Sequence, residues 1–113
     1  MNKDNAIFLE HIIKSINYIE QFCENKSERD FRDSVQLQDA VIRRLEIIGE
    51  AVKNIEESFK EFNKNIEWKK IAGMRDIITH KYFGIDLELV WNVVQENLPE
   101  LKKEIRKVLS GNE

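Results

Sequence analysis

The residues with the chemistry to act on a phosphodiester sit in one short stretch, Gly73-Met74-Arg75-Asp76-Ile77-Ile78-Thr79-His80-Lys81-Tyr82-Phe83-Gly84. Arginine grips a phosphate with two parallel N–H donors and stays charged at every working pH. Histidine titrates near neutrality and can take or give a proton. The tyrosine hydroxyl donates a hydrogen bond or acts as a nucleophile, and Lys81 adds a mobile positive charge. Together these side chains describe phosphate binding coupled to proton transfer.

Their spacing limits how they can meet. Arg75 and His80 are five positions apart, about 500° of helical rotation, which leaves them roughly 140° apart around a straight helix. Arg75 and Tyr82 are seven apart and share a face. Two arrangements satisfy this. Either the helix loosens ahead of Gly84, or the site is composite, with residues from two copies of the chain meeting at a dimer axis.

Each of these residues also has an ordinary structural role: a surface ion pair for Arg75, a histidine favoured by the dipole at a helix C-terminus for His80, a half-buried ring for Tyr82. Their clustering is what raises the chemical reading. Other polar residues rank lower. His11 borders the first apolar stripe as a core-edge histidine and a weak second acid or base. Glu50 falls near the inner face of the second long helix, as an arginine partner or a solvated carboxylate. Lys69 and Lys70 read as a wet helix face. No His, Cys, Asp and Glu combination has metal-ligand spacing and there is no glycine-rich phosphate loop, so neither a metal nor a cofactor is expected.

The elements that position the segment are helical throughout. The 113 residues include four glycines and one proline, few enough to favour long helices over a sandwich or barrel. Apolar residues at three- and four-residue steps mark four stripes. The first is Phe8, Ile12, Ile16, Ile19 and Cys23, capped by Asp4 or Asn5 and ending near Glu24. Residues 25–34 form a polar connection anchored by Phe31. The second stripe, Leu37, Val41, Leu45, Ile48, Val52, Ile55 and Phe59, starts from a Ser34 cap and is widened by Ala40, Ile47 and Ala51. Gly49 inside it costs about 1 kcal/mol relative to alanine and allows another helix to come close. Residues 60–67 read as irregular.

Trp68 opens the third stripe, with Ile71, Met74, Ile77 and Ile78, and Gly84 stops it. Asp86 caps the fourth, Leu87, Trp91, Val94, Leu98, Leu101, Ile105 and Val108, which stays in phase across Pro99 as a kinked helix and closes at Gly111. The expectation is an all-α, antiparallel four-helix bundle with a short extra helical turn near Trp68, in one domain over residues 1–113.

Composition narrows the partners. A 42% hydrophobic content supports a core, while 35% charged residues supply a solvated surface. The net charge of -3 lacks the basic footprint of a duplex-DNA binder, so nucleic acid would be met through a local patch. Cys23 is the only cysteine, which rules out an internal disulfide; it reads as a buried small hydrophobe. No apolar run approaches the ~20 residues of a membrane span, and the start of the chain lacks the apolar core of a signal peptide. A cytoplasmic protein is expected.

The pattern Arg75-x4-His80-x-Tyr82 resembles the signature of HEPN-domain proteins of the HepT type. The likeness extends through Ala40-Val41-Ile42-Arg43-Arg44-Leu45-Glu46-Ile47-Ile48-Gly49-Glu50-Ala51, through Trp68-Lys69-Lys70-Ile71-Ala72-Gly73-Met74-Arg75-Asp76 and through Val90-Trp91, over roughly residues 5–109. The resemblance implies a HEPN-like helical homodimer, the toxin of a type VII toxin–antitoxin system. It implies ribonuclease catalysis by Arg75 and His80, with Asp76 and Lys81 in support. It also implies neutralisation by an MntA-like nucleotidyltransferase that attaches AMP to Tyr82. Two rival readings stay open: a non-catalytic helical docking module for a nucleotidyltransferase, and a bundle scaffold with an unrelated small-molecule pocket.

Overall fold

In the computed structural model, residues 2–79 and 86–111 are described, with the side chains of residues 74–79 left aside. Among the described residues seven α-helices follow one another: α1 (Lys3–Cys23), α2 (Glu28–Asp33), α3 (Val35–Lys53), α4 (Glu57–Phe62), α5 (Trp68–Thr79), α6 (Leu87–Asn92) and α7 (Leu98–Leu109). A π turn over Val93–Asn97 joins the last two into one continuous helical run. Among the described residues there is no strand. Helices α1, α3, α5 and the α6–α7 run are the four long arms. The short α2 and α4 lie in the connections between them.

α1 begins one turn ahead of the expected caps. The Asn2 side chain accepts from the Asn5 N–H at 2.8 Å, and Asp4 sits in the first turn, where the helix dipole favours a carboxylate. Asn5 has a different task. It is 2% exposed, and its side chain receives the Glu56 N–H at 3.3 Å and donates to Glu56 Oε1 at 3.4 Å. Asn2 donates to the same oxygen at 2.9 Å. The start of α1 is thereby tied to Glu56, the residue that precedes α4, and a buried amide is satisfied as burial requires. At the other end Asn25, at φ 61°, takes the left-handed conformation that closes the helix.

The connection after α1 is more ordered than its polar composition suggests. Ser27 and Asp30 form a reciprocal capping box: the Ser27 hydroxyl accepts from the Asp30 N–H at 3.1 Å, and the Asp30 carboxylate accepts from the Ser27 N–H at 2.9 Å. Two orphan donors are satisfied, which nucleates the six-residue α2. Phe31, fully buried, anchors it as expected, with its ring 5.5 Å from that of Trp91. The Ser27 amide first, then its hydroxyl, and least of all Lys26 hold the Asp30 carboxyl below the ordinary aspartate range. A depressed folded value means that Asp30 supports α2 fully above its unfolded value and loses that support as pH falls through the folded one. Ser27→Ala is expected to cost about 1 kcal/mol at neutral pH, read as a lower urea midpoint, with the difference from wild type shrinking in acid.

Ser34 caps α3 by accepting from the Leu37 N–H at 3.0 Å, and Asp86 caps α6 by accepting from Leu89 at 3.1 Å, both as the sequence predicts. Residues 57–62, part of which was expected to be irregular, instead form α4. Phe59 turns its ring toward Trp68 at 6.2 Å, and the buried Ile55 and Ile66 pin the chain on either side.

The core runs through every long arm: Ile12, Ile16 and Ile19 of α1, Val41, Leu45, Ile48 and Val52 of α3, Trp68 and Ile71 of α5, and Val90, Leu98, Leu101 and Ile105 of the last run. Leu9, rather than Phe8, heads the α1 stripe, and Val90 and Val93 are buried where Leu87 and Trp91 were expected, leaving those two half-covered. Pro99 lies in the first turn of α7 and the helix does not break there. The π turn, in which the Leu98 N–H reaches the Val93 carbonyl, takes up an extra residue just ahead of it and keeps Val94, Leu98 and Leu101 on the inner side. Gly111, at φ 85°, ends the chain's last helix. Cys23 is buried, and that burial raises its thiol pKa.

Candidate functional site

The candidate segment begins on α5 and runs toward α6, so those two helices and their anchors determine where it can be. Trp68 fixes the start of α5. It is 7% exposed, and its indole Nε1–H donates to the Asn63 carbonyl at 3.1 Å, while the Asn63 side chain donates to the Phe59 carbonyl at 3.0 Å. A large ring with a satisfied polar tip is a rigid peg. One turn later Ile71 is buried in the shared core, and α5 packs along α3.

By helical register Arg75 falls four residues after Ile71 and seven after Trp68, in the stripe of α5 that begins with those two core residues. Asp76 falls one position round from it. The opposite side of α5 carries exposed Lys69 and Lys70, and Lys70 makes only a solvent-exposed pair with Glu67 at 3.7 Å. His80, Lys81 and Tyr82, together with Gly84, lie outside the described residues, as do the side chains of Arg75 and Asp76. Beyond the segment, α6 is fixed by the Asp86 cap and by the contact between Trp91 and Phe31. The two helices that flank the candidate stretch in sequence are each tied to the core, α5 by the buried Trp68 and α6 through Trp91 against the buried Phe31.

The lower-ranked residues are placed differently from what their types suggested. His11 is exposed on α1, not at a core edge, and Glu50 is exposed on α3, with its backbone carbonyl receiving the Asn54 side chain at 2.9 Å. Gly49 is buried on α3, the helix that packs against both α1 and α5. No group of three His, Cys, Asp or Glu among the described residues is arranged to hold a metal ion.

A cleft of about 580 Å³ opens between the start of α5 and the π turn, floored by Ile71, Leu98 and Leu101. Glu67, Glu96, Glu100 and Glu104 all line it, against Lys64 and Lys70. A rim with more carboxylates than cations repels a phosphodiester, so this cleft is not where a nucleic acid strand would lie. One contact escaped the sequence reading: Arg44 of α3 lays its guanidinium over the Tyr18 ring of α1, 4.4 Å from the centroid. The four-residue spacing of Lys14, Tyr18 and Phe22 was visible in the sequence; the arginine crossing from another helix was not.

A bundle of four long helical arms, carrying an Arg-x4-His pair that starts on its third arm, is the architecture at hand. The chain belongs to the HepT-like ribonuclease family, whose model matches residues 12–108. It is 53% identical over 109 residues to a Methanocaldococcus jannaschii protein named "Gamma-glutamylcyclotransferase and putative RNase"; the match takes in 96% of this chain but spans about half, 49%, of that longer relative. It is 42% identical over 108 residues to the "Probable ribonuclease HepT" of Thermococcus cleftensis, covering 96% of this chain and 98% of the relative. No solved structure matches it. No described helix is long and apolar enough to cross a membrane.

Proposed function

We propose that this chain is the toxin of a type VII toxin–antitoxin pair, a homodimeric endoribonuclease that needs no metal and is silenced by AMP attached to Tyr82. The observation that supports it is Arg75 in the core-derived stripe of a helix anchored by Trp68, with His80 and Tyr82 following within seven residues, in a chain of the HepT-like family.

In the mechanism, the ribose 2′-OH attacks the adjacent phosphorus. One His80 takes the proton from that hydroxyl, and the His80 of a second copy returns a proton to the departing 5′-oxygen, leaving a 2′,3′-cyclic phosphate. Two proton transfers need two titrating groups, and one motif offers a single histidine; a dimer supplies both. Arg75 binds the phosphate and stabilises the charge that builds in the transition state, oriented by Asp76 and assisted by Lys81. Tyr82, two residues from His80, carries the AMP, whose bulk and negative charge keep RNA out.

The test joins intact mass to RNA cleavage. The chain is expressed alone and with an MntA-like nucleotidyltransferase. Alone, it is expected to cut RNA. Co-expressed, it gains the mass of AMP at Tyr82 and stops cutting, while Tyr82→Phe gains no mass and keeps cutting. An unmodified dimer that binds the partner and never cuts would make the arginine–histidine pair a docking element instead.

A further inference from the structure

On the face shared by α1 and α3, Lys14, Tyr18 and Phe22 follow at four-residue spacing along one side of α1. The Tyr18 and Phe22 rings stack, 6.2 Å between centroids and 21° between planes. Arg44 covers the Tyr18 ring from α3. All three of Tyr18, Phe22 and Arg44 are half-buried, so each keeps part of its surface in solvent. Past Phe22, a hollow of about 490 Å³ continues toward the ends of the two helices, with Leu37 and Ala40 on its walls and Lys26 and Asp30 on its rim. The Asp30 carboxylate is already occupied by the Ser27 amide.

We propose that this arginine–aromatic surface is a subsite for single-stranded RNA, stacking a base of the substrate on the Arg44 guanidinium that the Tyr18 ring backs, while Lys14 and Lys26 meet neighbouring phosphates. The inference rests on the ribonuclease reading and adds to it a place, built from residues outside the cleavage motif, where the strand is gripped. Unpaired bases stack on aromatic rings and guanidinium planes without regard to sequence, and lysines on either side track the backbone. In a chain of net charge -3, three cations around two stacked rings form a local basic set. A second copy of the chain is a poorer occupant, because lysine is depleted at the centres of protein interfaces and this surface is flanked by Lys14 and Lys26. α3 carries Arg44 and packs on α5, which carries Arg75, so the grip and the motif share one scaffold.

The test is fluorescence anisotropy with a labelled 2′-O-methyl oligoribonucleotide of mixed sequence, which has no 2′-OH to attack and so reads binding without cleavage. Tyr18→Ala and Arg44→Ala are expected to weaken Kd about 10-fold or more, and Tyr18→Phe, which keeps the ring, to bind as wild type. Lys14→Gln should flatten the dependence of log Kd on log salt by about one ion. In cleavage of ordinary RNA, the two alanine variants act on KM rather than on kcat, and Tyr18→Phe keeps the wild-type KM. Alanine variants that remain folded by circular dichroism and bind as tightly as wild type overturn the subsite. So does a shift in sedimentation from dimer to monomer with Kd unchanged, which would assign the face to a second copy. The two readings separate cleanly. Normal cutting with unaltered binding removes only the subsite, RNA binding lost in the variants of a protein that never cuts removes only the nuclease, and a wild-type chain that neither binds nor cuts removes both.

Discussion

His80→Ala is expected to slow RNA cleavage by about 10²–10⁴-fold, the range that one positioned acid or base contributes, with little change in the urea midpoint. Among the residues of the 73–84 stretch, only His80 has an ordinary pKa near neutrality, so only it can pass a proton in both directions at cellular pH. If the histidines of two copies act as base and acid, the wild-type rate follows a bell-shaped pH profile, because one must start neutral and the other charged. Arg75→Lys makes a useful companion: it keeps the charge and loses the two-pronged grip, so it should cut more slowly than wild type and faster than Arg75→Ala. The measurement is a time course on labelled RNA with all three variants at matched protein concentration. Cleavage by His80→Ala at the wild-type rate would remove the mechanism, whatever the Arg75 variants do.

The bundle was legible because most of its information is periodic. Val41, Leu45, Ile48 and Val52 repeat at three- and four-residue steps and all prove buried, and single-residue caps such as Ser34 and Asp86 make bonds that depend only on local sequence. What escaped depends on partners far along the chain. Asn5 looked like a cap because asparagine commonly is one; its use 51 residues away at Glu56 has no local signature. α2 was hidden because five of its six residues are polar, and its stability comes from one capping box and one buried ring. The π turn before Pro99 shifted the buried stripe toward Val90 and Val93, a change of register that a fixed helical period cannot express.

The candidate site was legible in a different way. Its residue types and order carry the chemistry, and the family match follows that order across most of the chain. What spacing alone leaves open is which copy of the chain each residue serves. The roughly 140° between Arg75 and His80 on an ideal helix is satisfied by a loosened turn or by a composite of two subunits. The Tyr18–Arg44 contact was illegible for the opposite reason: its members are 26 positions apart on two helices, and only the packing of α1 on α3 brings them together.

The largest expected effect on stability belongs to Phe31. Phe31→Ala should cost about 3–5 kcal/mol, the usual price of deleting a fully buried phenylalanine, against a total of roughly 5–15 kcal/mol for a domain of ordinary stability. The ring is 0% exposed, and it is the only buried side chain that the six residues of α2 contribute. Its contact with Trp91 holds α2 against α6, the helix that opens immediately after the candidate segment. Removing it should therefore lower the urea midpoint and also speed hydrogen exchange at the first amides of α6 before the rest of the bundle loosens. Phe62 supplies the control: the same residue type, also on a short helix, but 74% exposed. Phe62→Ala should change stability by no more than about 0.5 kcal/mol, as surface substitutions usually do. Equal losses in the two variants would mean that α2 is not pinned through its ring, and α6 would then owe its position to Val90 and the π turn alone.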